Sequence, residues 1–144
     1  MENQDTIYLL KECDAGSKMA VASIDDVMDK IHDTTMKAIM EKSKRHHEKL
    51  GNTIHSLLNE YGADDKDPNP MAKSMSWLKT NMKISMDDSD HTIADLMTDG
   101  CNMGIKSLYK YRNQYPAAND KVAGLCVDLI EIEESLRRDL VDYL

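Results

Sequence analysis

Phenylalanine is absent from this chain and tryptophan occurs once in 144 residues. Valine and isoleucine fall at helical rather than alternating spacing, so no segment carries a strand signal. No apolar run approaches the ~20 residues needed to cross a bilayer, which excludes a membrane-spanning helix. The polar start, residues 1–5, lacks the basic and apolar stretches of a signal peptide, and a cytoplasmic location is expected. Cysteine is scarce as well. Cys13, Cys101 and Cys126 are odd in number and widely spaced, and each lies within helical apolar pattern. Buried reduced thiols are expected there, rather than a disulfide framework or a zinc site. Basic residues are outnumbered, 18 against 26 acidic ones, for a net charge of −8. That balance argues against a nucleic-acid partner, because phosphate binding draws on clustered lysines and arginines. The single basic cluster, residues 42–47, reads as a solvated helix face.

Proline and glycine are few, three and six in number, and they mark the joints between helices at Gly62, Pro68, Pro70 and Pro116. Ile7, Leu10, Cys13, Ala20, Ile24, Val27 and Ile31 recur at three- and four-residue steps, predicting a long helix over residues 5–31. Asp33 or Thr34 caps a second helix, with Met36, Ile39 or Met40, His46 or His47, Leu50, Ile54, Leu57 and Tyr61 on its stripe. It ends at Gly62, where GADDKDPNP opens an irregular connection. Met71, Met75, Leu78, Met82 and Met86 predict a shorter amphipathic helix over residues 71–86, with Trp77 close by. The acidic run at residues 87–90 caps a third long helix whose inward residues are Ile93, Met97, Cys101, Gly104, Leu108 and Tyr111. Pro116 closes that helix. A last one runs from about residue 117 to 143, with Val122, Leu125, Leu129, Ile132, Leu136 and Leu140 inward.

The reading is a single all-α domain over residues 1–144. The short first and last joints make antiparallel hairpins. Between the second and third long helices the chain is long enough to travel back along the bundle. One such crossover, carrying its own short helix, distinguishes a ferritin-like four-helix bundle from a simple up-and-down one.

The stretches PMAKSMSW (70–77), IADLMTDGCNMGI (93–105) and DLIEIEESLRRDLVDYL (128–144) resemble a bacterial family of ferritin-like proteins of unknown function. The resemblance spans nearly the whole chain and rests on structural motifs: methionines and glycines where helices meet, and a terminal Tyr143-Leu144. It implies the fold and assigns no reaction.

Ferritin-like di-iron proteins take one Glu from each of two helices and a Glu-x-x-His pair from each of the other two. No Glu-x-x-His occurs here, and Glu131 and Glu134 on the last helix lie off the apolar stripe. His46 and His47 fall near mid-bundle, with Asp14 and Ser17 at a comparable height on the first helix. Hydrogen bonding is the role expected of them. Asp29 with His32, and Asp88 with His91, would meet at one end of the bundle and offer oxygen and imidazole donors to a divalent cation; helix capping is the ordinary use of such aspartates. The paired methionines could bind Cu(I), but gap filling under the crossover explains them more simply. No phosphate loop, Cys-x-x-Cys, His-Glu-x-x-His or Gly-x-Ser-x-Gly is present. The sequence therefore assigns no catalytic, cofactor-binding or metal residue. It favours a noncatalytic bundle that binds a protein partner or forms a homodimer, against the alternative of a metal-binding protein with a divergent carboxylate and histidine site. Apolar residues beyond the core stripes, namely Leu96, Met103, Ile105, Val127, Ile130 and Val141, motivate the association.

Overall fold

Each long helix begins with a side chain that accepts a hydrogen bond from a backbone N–H three residues on: Asn3 from Thr6, Asp33 from Met36, Ser89 from Thr92 and Asn119 from Val122. These bonds satisfy amides that have no partner inside the helix. In the computed structural model, which describes residues 3–63 and 89–144, they open α1 (Gln4–Met28), α2 (Thr34–Glu60), α3 (Asp90–Gln114) and α4 (Asp120–Asp139). A short 3₁₀ turn, Val141–Tyr143, follows. The described residues contain no strand. The expected helix over residues 71–86, with Trp77 and its methionines, and Asp88 of the acidic run lie outside the described residues.

The boundaries move inward from the periodicity reading for local reasons. Asp33 itself is the cap of α2, and α1 stops before it so that Asp33 can adopt extended backbone. At the far end of α2, Gly62 takes a φ of 67°, a left-handed conformation that glycine adopts without Cβ strain. The last helix starts at Asp120 rather than near residue 117, because Asn119 is turned outward to cap Val122.

Hydrogen bonds at the two ends set the helix directions. Asp90, the first residue of α3, accepts from the backbone N–H groups of His32 and Asp33, both at 2.8 Å, so α3 starts beside the α1–α2 turn. Tyr143 reaches the same end and donates its hydroxyl to Asp33 Oδ2 at 2.7 Å. At the opposite end Ala117 N–H donates to Asp5 Oδ2, and Asn119 N–H to Thr6 Oγ1, each at 2.9 Å. Helices α1 and α4 thus run one way, and α2 and α3 the other. Because α2 and α3 are parallel, Ala63 and Ser89 stand at opposite ends of the bundle. No tight antiparallel turn joins these two helices. α1 and α4 each touch all three other helices, whereas α2 and α3 lie across from one another.

The core has two apolar halves. Leu9, Leu10, Cys13, Ile54, Leu58, Val122 and Leu129 belong to one, and Ile24, Val27, Met36, Met40, Ile93, Leu136 and Leu140 to the other. Between them, at mid-height, lie Asp14, Ser17, Ser43, His47 and Glu133, all buried. Three of the six surplus apolar residues, Leu96, Ile105 and Ile130, are absorbed into the interior, while Met103 and Val141 remain exposed. Leu125 and Ile132 are only half-buried; Cys126, Ile130 and Glu133 take up more of the inward face of α4.

Candidate functional site

The polar layer is built around Glu133 of α4. Its Oε1 lies 2.9 Å from His47 Nε2 on α2. The other ring nitrogen, Nδ1, is 2.9 Å from the Ser43 carbonyl oxygen one turn earlier, so Nδ1 carries a hydrogen and donates it. A neutral imidazole would then present a lone pair at Nε2. The short contact with Glu133 therefore contains a proton, held either as a carboxylic acid donating to Nε2 or as an imidazolium donating to a carboxylate. In both forms the pair is neutral overall, the condition under which such groups can be buried.

Cys101 on α3 approaches Glu133 from the other side. Burial, then the charge of Glu133, then a hydrogen bond to it push the Cys101 thiol well above the usual thiol range. Glu133 is the common neighbour of the thiol and the imidazole. A cysteine nucleophile needs a lowered pKa, whereas the surroundings of Cys101 raise it. One turn along α3, Gly104 keeps the carboxylate's flank open: a Cβ there would lie 3.6 Å from Glu133 Oε2.

On α1, Asp14 Oδ2 accepts from Lys18 Nζ at 2.8 Å, while Oδ1 is buried with no partner among the described residues. Ser17 donates to the Asp14 carbonyl oxygen at 3.0 Å and faces Gly51 of α2, where a Cβ would stand 3.1 Å from Ser17 Oγ. That glycine permits α1 and α2 to close at mid-height.

The remaining sequence candidates separate cleanly. His47 is the buried member of its pair and His46 is exposed. Around them the basic cluster is largely solvated, with Lys44 paired to Asp25 at 2.7 Å. Asp29, His32 and His91 are exposed near one end of the bundle. The carboxylate that reaches the α1–α2 turn is Asp90, which engages backbone amides. Among the described residues no three His, Cys, Asp or Glu side chains converge on a metal position. Glu133 is the member of the layer that the sequence reading passed over in favour of Glu131 and Glu134. The signal for it was available: Glu133 follows Cys126 by seven residues, Leu129 by four, and precedes Leu136 by three.

Beside this layer the bundle is open. A cleft of about 140 Å³ separates α1 from α3, with Leu129, Glu133 and Leu136 as its floor. Its flanks carry Ala15, Gly16 and Ala20 on one side and Gly100, Gly104 and Ser107 on the other. Small side chains at helical spacing leave the seam unfilled. Met103 stands on the rim, 44% exposed. None of the described helices is long and apolar enough to cross a membrane. No protein-family model, curated protein or solved structure matches this chain.

Proposed function

We propose that the protein is a cytoplasmic, noncatalytic ferritin-like bundle that works by self-association through its α1–α3 face. The carrying observation is an exposed methionine, Met103, beside an open apolar cleft on one surface. A protruding side chain and a cavity on the same face are self-complementary: a two-fold axis seats Met103 of each copy in the cleft of the other. The ferritin-like part of the proposal is supported by parallel α2 and α3 and by Ala63 and Ser89 at opposite ends of the bundle, which suits a crossover carrying the helix expected over residues 71–86.

Light scattering on the full chain at micromolar concentration tests the association. A dimer is expected. Gly100→Glu, at a cleft-lining position where an added Cβ meets nothing within 4 Å, introduces a charge into the cleft and should give a monomer. Tyr109→Glu, at an exposed residue that does not line the cleft, should leave the dimer intact. A monomeric wild-type chain at ~100 µM would refute self-association.

The alternative reading, a divergent metal protein, has His47 and Glu133 to draw on. Stoichiometric iron, manganese, zinc or copper in protein purified without chelator from metal-supplied cells would favour it.

A further inference from the structure

Helices α1 and α4 are parallel and keep one register. Asn119 N–H donates to Thr6 Oγ1 at 2.9 Å, and these residues are 113 apart in sequence. Gly16 and Leu129 have the same separation, and a Cβ on Gly16 would lie 3.7 Å from Leu129 Cδ2. Cys13 sits between the two contacts, seven residues beyond Thr6 and one turn before Gly16; Cys126 holds the corresponding place on α4. Parallel helices that hold one offset along their length bring like positions face to face. Both cysteines are fully buried in the same half of the core. The two thiols are close enough to interact, and Cys126 donates to the Leu108 carbonyl oxygen at 3.7 Å.

We infer that Cys13 and Cys126 form a reversible intramolecular disulfide when the protein meets a two-electron oxidant such as hydrogen peroxide. The environments of the two thiols set the order of events. The hydrogen bond from Cys13 holds the Cys126 thiol below its ordinary range, against the effect of burial and with help from Arg112. The same bond, burial and nearby acidic groups push Cys13 well above it. Cys126 is accordingly the attacking thiolate. Its sulfur bonds to one peroxide oxygen as the O–O bond breaks, leaving a sulfenic acid and hydroxide. The Cys13 sulfur then displaces the sulfenic hydroxyl and forms the S–S bond, and the two thiol protons end in water. Two thiols and one peroxide thus give one disulfide and two waters. Cys101, in the other half of the core against Glu133, takes no part.

The test uses the full chain, reduced, freed of reductant, exposed to excess hydrogen peroxide and then unfolded in N-ethylmaleimide. Intact mass should show a single maleimide adduct, on Cys101, with all three thiols alkylated before oxidation and again after dithiothreitol. A non-reduced peptide map of the same wild-type sample should join the Cys13 and Cys126 peptides within one chain, so the result does not depend on the folding of any variant. Cys101→Ala should retain the link, and Cys13→Ser should abolish it. Three adducts persisting after exposure, separate sulfinic acids without a link, a bridge that includes Cys101, or a bridge between chains would each overturn the inference.

Discussion

His47 Nε2 and Glu133 Oε1 meet 2.9 Å apart in the middle of the core, tying α2 to α4 where the two apolar halves adjoin. The imidazole is fully buried and the carboxylate side chain is 11% exposed. The pair shares a proton, so its two members respond differently to replacement. Glu133→Gln leaves an N–H able to donate to Nε2 and should cost about 1 kcal/mol, whereas His47→Leu strands a carboxylate and should cost about 3 to 5 kcal/mol. Replacing both by leucine should recover much of the loss, because no unpaired polar group then remains. Urea unfolding followed by circular dichroism measures all three, and strictly additive costs would refute the shared proton.

Gly51 and Ser17 provide a second coupled pair. An alanine at Gly51 gains about 1 kcal/mol in helix propensity, but its methyl group would press on Ser17 Oγ at 3.1 Å. The serine is buried and already donates to the Asp14 carbonyl, so it yields poorly. Gly51→Ala should therefore destabilise the wild-type chain and stabilise the Ser17→Ala background, where only an ordinary contact at 3.6 Å to Cβ remains. Gly124→Ala, which meets nothing within 4 Å, is the uncoupled comparison and should stabilise by about 0.5 to 1 kcal/mol in both backgrounds. Melting curves of the six proteins decide the matter; the same effect of Gly51→Ala in both backgrounds would show that Ser17 is not the obstacle.

The Tyr143–Asp33 bond makes two opposite pH predictions. The Tyr143 hydroxyl, followed by the Met36 amide, lowers the Asp33 carboxyl from its ordinary 3.8. A depressed folded pKa gives stabilisation that is present above 3.8 and lost as pH falls through the lower folded value. Tyr143 moves the other way, raised from 10 to about 12, chiefly by its bond to Asp33. Its contribution is complete below pH 10 and lost as pH rises towards about 12. Tyrosinate absorbance should therefore contain a component near pH 12 that Tyr143→Phe removes and Asp33→Asn shifts downward. No change on Asp33→Asn would mean that the contact does not set the phenol.

Much of the helical plan was legible from short-range rules. Asp33 and Gly62 mark the bounds of α2 through backbone chemistry that acts over a few residues, and the stripe containing Met36, Ile54 and Leu57 is buried as its spacing predicts. The choice between His46 and His47 was not legible, since adjacent helical residues differ by about 100° around the axis and both flank the stripe. Leu125 and Ile132 were read inward because they are apolar. Glu133 was passed over because it is charged, yet a charge can be buried when a partner arrives to neutralise it.

The sequence by itself determined an all-helical chain with capped starts, a long connection between the second and third long helices, and no Glu-x-x-His pair. Those properties follow from the order of residue types along one strand of chain. Only the tertiary structure decided that α1 and α4 would meet in a register setting Cys13 opposite Cys126, that His47 from α2 would neutralise Glu133 from α4, and that small residues on α1 and α3 would leave a cleft. Each of these depends on side chains from separate helices, 86 residues apart for His47 and Glu133. Their partnership exists only when the packing of whole helices, driven by burial of the apolar stripes on either side, brings them to the same height.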